Sequence, residues 1–151
     1  MIDGVKVKQL KTNLDSRGRL FEVLRSDDKL FMEFGQAYIT TVFTGVVKAW
    51  HRHEYQTDNM CLVSGDLKLV IYDSREDSPT RGQIDEFCLG PDNRLLVQIP
   101  PQVYHGFQNI GSEEAIVLNL PDRVYDHKTP DEQRLDPHDN EIPYDWRRRD
   151  G

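Results

Sequence analysis

Apolar and polar positions alternate by twos along much of this chain, and no segment sustains the roughly 3.6-residue apolar stripe of an amphipathic helix. Val5-Lys6-Val7-Lys8-Gln9-Leu10 puts its apolar side chains on one face of an extended strand. Leu67-Lys68-Leu69-Val70-Ile71-Tyr72 is rich in β-branched and aromatic residues. Leu95-Leu96-Val97-Gln98-Ile99 stops at Pro100-Pro101, and Ala115-Ile116-Val117-Leu118 reads the same way. Ser64-Gly65-Asp66 lies between two apolar runs and predicts a hairpin turn. Residues 77–82 and 90–93, rich in Gly, Pro, Asp and Asn, predict loops. Many short strands at regular spacing predict an all-β sandwich or barrel. From residue 121 to 151 the chain turns polar, with Pro, Asp and Arg throughout. That shift predicts a C-terminal wrap with a short helix capped by Thr129 and opened by Pro130, and at most two short helices in the whole chain.

The length of 151 residues suits a single domain over 1–151. Hydrophobic residues are 37% and charged residues 30%, a globular rather than a disordered balance. The 19 Lys and Arg against 26 Asp and Glu leave a net charge of -7. A uniformly basic nucleic-acid footprint is thereby excluded, as is general attraction to an anionic membrane, while a local basic pocket for a small anion is not. No apolar run approaches a membrane span, and the first residues carry no apolar signal region, so a cytoplasmic protein is expected. Cys61 and Cys88 both sit in apolar, strand-like runs and are expected to be buried and reduced. Arg147-Arg148-Arg149 reads as a solvated end.

The chemistry concentrates at histidines. His51 and His53 are two apart, which on a strand aims both at one face. Two imidazoles in a dry core would each need hydrogen-bond partners, so a polar pocket is the cheaper arrangement. His105 follows the Pro100-Pro101 break, where a new strand is expected to begin. Gly45, five residues, His51-Arg52-His53, four residues, Asp58, six residues and Gly65 form one pattern, and Pro100-Pro101-Gln102-Val103-Tyr104-His105 with Asn109 forms a second. Together they resemble the two cupin motifs, with Asp58 where Glu is usual and Gln102 where Gly is usual. The resemblance implies a cupin-type jelly-roll β-barrel with a polar site inside, in agreement with the strand pattern.

A closer resemblance spans most of the chain. Asp15-Ser16-Arg17-Gly18-Arg19-Leu20-Phe21-Glu22 is similar to the Asp-x-Arg-Gly-x-x-x-Glu opening of the dTDP-4-dehydrorhamnose 3,5-epimerases. Gln36 followed by Gly45-Val46-Val47-Lys48-Ala49-Trp50-His51 keeps that family's spacing. So do Tyr72-Asp73-Ser74-Arg75 with Ser78-Pro79-Thr80 and Gly82, and Ile99-Pro100-Pro101-Gln102-Val103-Tyr104-His105-Gly106-Phe107. Asp139, Ile142, Tyr144 and Trp146 resemble its ending. The resemblance implies an isomerase that needs no cofactor and acts on a nucleotide-linked 4-keto-6-deoxy sugar in polysaccharide precursor synthesis. In that family a histidine removes a proton beside the ketone, an aspartate orients the histidine, and a tyrosine returns a proton to the other face. His51 matches the base and Asp139 its aspartate. Arg17 and Lys48 match basic positions for the diphosphate, Glu22 and Gln36 line the nucleotide side, and His105 is a pocket histidine. The resemblance also implies a homodimer that shares its N-terminal strands.

Two positions depart from the family. The tyrosine position falls on Asn119, and the lysine near the oxyanion falls at or beside Asp58. An amide cannot donate a proton as a phenol does. Tyr104, beside His105, is the first substitute expected, with Tyr125 next. His51, His53, Asp58 and His105 also offer three imidazoles and a carboxylate, a donor set for a divalent transition metal. A metal-dependent cupin enzyme and a non-catalytic sugar-binding cupin are therefore the alternatives.

Overall fold

The computed structural model describes residues 1–148. It contains twelve strands: β1 (Lys6–Gln9), β2 (Thr12–Asp15), β3 (Gly18–Phe21), β4 (Tyr38–Val42), β5 (Val47–Arg52), β6 (Asp58–Ser64), β7 (Leu67–Tyr72), β8 (Ile84–Leu89), β9 (Leu95–Ile99), β10 (Tyr104–Asn109), β11 (Ala115–Asn119) and β12 (Gln133–Arg134). One antiparallel sheet runs β1-β9-β6-β11-β4, a second runs β12-β5-β10-β7-β8, and β2-β3 form a separate hairpin. From β4 to β7 each strand crosses to the opposite sheet, as it does again from β8 to β11, in the manner of a jelly roll. The all-β, cupin-type expectation holds.

The core lies between the two five-stranded sheets. Val42, Leu62, Val97 and Val117 from one sheet meet Leu67, Leu69, Ile71 and Phe107 from the other. The near-continuous apolar run of β7 has a simple cause: it is buried on both faces. Leu67, Leu69 and Ile71 face the inner core. Val70 faces outward, where Trp50, Ile142 and Trp146 cover it. Trp146 lies 5.1 Å from Trp50 between ring centroids, and Tyr144 meets Trp50 edge-on at 5.9 Å. The spacing of Ile142, Tyr144 and Trp146 therefore serves packing.

Several expectations are corrected. Gly65 does not close a hairpin, because β6 and β7 belong to different sheets. It carries the chain between them at φ 91°. A Cβ there would stand 2.8 Å from the Ala115 backbone, so the crossing needs glycine. No helix forms among the described residues. Thr129 Oγ1 instead donates to the Asp126 carboxylate at 2.6 Å. Just beyond Pro130, Asp131 ties the chain to residues 54–56, and it pairs beside β5 as β12 rather than coiling. Cys61 is buried on β6, but Cys88 is exposed on β8. Burial pushes the Cys61 thiol up to about 11. A small disulfide reagent at pH 8 is therefore expected to label one thiol per native chain rapidly, at Cys88, and the second only on unfolding. Rapid native labelling of both would contradict this packing. Arg147 and Arg148 are exposed, and Arg149 lies outside the described residues.

Gly106 lies at an irregularity in the β10–β5 pairing, between His105 and Phe107. A Cβ there would fall 2.2 Å from the Ala49 Cβ and 2.8 Å from its Cα. Because the obstacle includes backbone, Gly106→Ala should force the two strands apart. The expected loss is about 2–3 kcal/mol in denaturant unfolding, toward the upper end of overpacking costs. Unchanged stability would mean that the strands do not approach this closely.

Candidate active site

A cavity of about 630 Å³ opens between the sheets, with His51, His53, His105, Lys48, Asn119 and Tyr38 among its walls. β5 and β10 are neighbours with His51 opposite His105, and the two ring centroids are 6.1 Å apart. His53 stands one residue past β5, and its ring lies 6.1 Å from that of His105. The second wall comes from the other sheet, where β11 and β4 pair Asn119 with Tyr38.

Asp58, at the start of β6, lies beneath the histidines and is 1% exposed. Its Oδ1 accepts from the Gln56 and Asn119 amides, each at 2.8 Å. Its Oδ2 lies 3.2 Å from His105 Nε2 and 3.4 Å from His53 Nε2. Burial pushes this carboxyl up, but the His105 hydrogen bond, the charges of His105 and His53 and the Asn119 amide together outweigh burial and hold it at about 2. Asn119 is fully buried and satisfied on both sides. Its Oδ1 accepts from the Asn59 amide at 3.0 Å, and its Nδ2 also reaches the Tyr38 hydroxyl at 2.8 Å.

His51 is half-buried. Burial, and then the charge of His105, pull its pKa down to about 4, with Glu132 acting the other way. It is therefore a neutral imidazole at pH 7. Tyr38 is 39% exposed as a residue, but its hydroxyl is held at the fully buried Asn119. Burial of that end, then the Asp58 charge, push the phenol up to about 12. Lys48 Nζ donates to Thr40 Oγ1 at 3.2 Å and to the Thr41 carbonyl at 2.8 Å.

The C-terminal wrap completes the cavity. β12 pairs Arg134 with His51, and Glu132, Arg134 and Asp136 line the opening. The Asp131 carboxylate accepts from the backbone amides of Glu54, Tyr55 and Gln56 at 2.8, 3.0 and 3.1 Å. Its carbonyl accepts from His53 Nδ1. Gln102 adopts φ 64°, the left-handed region that explains glycine in the cupin motif. Its amide donates to the His53 carbonyl at 2.6 Å and its side chain to Glu54 at 2.8 Å, so this departure braces the turn beyond β5.

Of the residues singled out from the sequence, the fold gathers His51, Lys48, His105 and Asn119, together with His53 and Asp58. It does not gather the others. Asp139 lies exposed on a loop with its amide held by Asp136, outside the cavity lining; the acidic group whose charge bears on His51 is Glu132. Arg17 is 86% exposed and paired with Asp15 on the β2–β3 hairpin. Glu22 pairs with Arg25 at 2.8 Å. Gln36 accepts from the Tyr125 amide at 3.3 Å. His51 also falls outside the compact donor group, which is His53, Asp58 and His105 alone. Tyr104 turns to the outer face, under the Arg52 guanidinium, and Tyr125 packs edge-on against His127. Neither lines the cavity. Tyr38, Glu132 and Arg134 were missed. The one signal for Tyr38 was its period-two spacing with Thr40, which says nothing of the partner strand.

A sequence profile of the family described as dTDP-4-dehydrorhamnose 3,5-epimerase matches residues 1–150. A probable low-salt glycan biosynthesis epimerase of Haloferax volcanii, Agl13, is 44% identical over 146 residues, covering 95% of this chain and 89% of that protein. The spore coat polysaccharide biosynthesis protein SpsL of Bacillus subtilis is 40% identical, covering 97% of each. The crystal structure of a dTDP sugar isomerase from Desulfovibrio desulfuricans superposes with a TM-score of 0.91 at 34% identity, over 96% of this chain and 92% of that one. No helix is long and apolar enough to cross a membrane among the described residues. With a match over nearly its whole length, and with His51 on β5 and His105 on β10 at the same cavity, the chain belongs to the dTDP-4-dehydrorhamnose 3,5-epimerase family and is an enzyme of the epimerase class.

Proposed function

We propose that the enzyme epimerises a nucleotide-linked 4-keto-6-deoxy sugar, with His51 as base and the Tyr38 phenol as the acid on the opposite wall. The observation that carries this reading is the pairing of a neutral imidazole with a protonated phenol across one cavity, from opposite sheets. A ketone acidifies the neighbouring C–H bonds. His51 takes such a proton and leaves an enolate; Tyr38 then delivers a proton to the other face, which inverts the carbon. Asn119 donates to the Tyr38 oxygen, so the phenol's own hydrogen is free to point elsewhere. The amide at the family's tyrosine position thus positions a tyrosine on the neighbouring strand. Proton abstraction and return by these two side chains need no cofactor. Lys48 and Arg134 bring positive charge to the same cavity for the diphosphate.

Arg17 and Glu22 enter this reading through a second copy of the chain. The β2–β3 hairpin carries Leu14 and Leu20 at 72% and 61% exposure, and β1 is an open sheet edge. A homodimer that buries the hairpin would bring these residues toward a partner's cavity. The test of the reaction is solvent exchange. Thymidine- and uridine-diphosphate 4-keto-6-deoxy sugars incubated with the enzyme in heavy water should gain deuterium at C3 or C5. Failure of every such sugar to exchange above the enzyme-free rate would end this reading.

A further inference from the structure

We infer that Asp131 is a positioning residue: it anchors the C-terminal wrap over the cavity so that Arg134 stands ready to meet a bound diphosphate. The inference rests on the reading above only in that the cavity takes a nucleoside diphosphate; it needs no assignment of base or acid. β12 pairs Arg134 directly with His51. Directly opposed residues on neighbouring strands share a face, so Arg134 joins His51 on the cavity side. Glu132, two residues earlier, lies on that side too, and both line the cavity. The Glu132 carboxylate accepts from Arg134 at 2.7 Å and steadies the guanidinium.

Apolar burial does not hold this segment in place. β12 is two residues long, and both are exposed. Among the described residues between Pro121 and Ile142, none has a buried apolar side chain. A segment with so little apolar burial opens at low free energy, so its polar contacts decide where it lies. Asp131 provides the anchor. Residues 54–56 turn the chain between β5 and β6 and present three successive backbone amides to one concavity, a site suited to an anion. The Asp131 carboxylate fills it, accepting at 2.8, 3.0 and 3.1 Å. Its carbonyl accepts from His53 Nδ1, so the same residue also fixes a cavity ring. The next amide, of Thr57, donates to Asp122 at 2.8 Å, where the wrap begins. A largely exposed stretch over 123–130 separates these two anchors. Beyond Asp131, Leu135 and Trp50 exchange backbone hydrogen bonds at 2.9 and 3.1 Å. Removing the Asp131 carboxylate frees three amides at once and leaves that short ladder to carry Glu132 and Arg134.

Amide hydrogen exchange and titration calorimetry with thymidine and uridine diphosphate, both on the full chain, test this. In the wild type the amides of Glu54, Tyr55 and Gln56 should be protected, and at least one of the two diphosphates should bind. Asp131→Ala should lose protection at those amides and at Trp50 and Leu135, while β6 and β7 keep theirs. It should bind the same diphosphate about tenfold more weakly, the scale of one charge-assisted contact. Arg134→Ala should weaken binding by a similar factor. Because Asp131 acts through Arg134, the double variant should bind at most about twofold more weakly than Arg134→Ala, whereas independent effects would multiply to about a hundredfold. Asp131→Asn keeps an acceptor oxygen at the amides and should bind more tightly than Asp131→Ala. Multiplied effects in the double variant overturn the inference. So do wild-type affinity in Asp131→Ala, no rescue in Asp131→Asn, unprotected amides at 54–56 in the wild type, or no binding of either diphosphate to the wild type at millimolar concentration. None of these readouts needs turnover. Sugars that fail to exchange deuterium while the diphosphate binds and the variants behave as stated end the epimerase reading and leave the anchor standing, and the reverse is equally visible.

Discussion

Replacing His51 by asparagine is expected to lower deuterium exchange into a 4-keto-6-deoxy sugar by about 10²–10⁴, the range of a general-base contribution. Asparagine approximates the imidazole in size and keeps a polar group on the cavity wall, but it cannot accept a proton. The fold should tolerate the change, because His51 is half-buried and the nearby core is carried by other residues such as Trp50 and Phe107. Circular dichroism and denaturant unfolding should therefore match the wild type while exchange collapses. Both exchange and inversion fall together here, since no enolate forms. Exchange at the wild-type rate in His51→Asn would remove this residue as the base. Asp139→Asn is expected to change exchange little, because Asp139 is exposed on a loop and absent from the cavity lining.

The second large effect separates exchange from inversion. Tyr38→Phe keeps the ring on the wall and removes only the hydroxyl. His51 should still abstract a proton and return one to the same face, so deuterium should continue to enter. Inversion should drop by about 10²–10⁴ for want of a donor on the far face. The wild type, by contrast, should invert at a rate comparable to exchange. Loss of the hydroxyl also leaves Asn119 Nδ2 with Asp58 as its remaining partner, so a small loss of stability should accompany the kinetic effect. Tyr104→Phe serves as the control, because that ring lies on the outer face beneath Arg52. Inversion that survives Tyr38→Phe but fails in Tyr104→Phe would reverse the assignment.

The sequence alone carried the strand content, since alternation records which face of each strand is dry. It placed β1, β7, β9 and β11 close to where they lie, and it singled out His51, His53, Asp58 and His105, which all sit at the cavity or directly beneath it. It could not say that residues 64–66 cross between sheets, because one glycine serves a hairpin and a crossing alike. Nor could it choose the acid. Which residue faces Asn119 depends on the register of β4 against β11, and that pairing joins segments whose partnership no local period encodes. The same limit held at the C-terminus. The spacing of Asp139, Ile142, Tyr144 and Trp146 was legible, but only the packed structure assigns Ile142 and Trp146 to the core around Trp50 and leaves Asp139 in solvent. In its place, β12 pairs beside β5 and brings Glu132 and Arg134 to the cavity. Burial pattern is a local property of the chain; the meeting of distant side chains is decided by long-range hydrogen-bond register and by the shape of the core that fixes it.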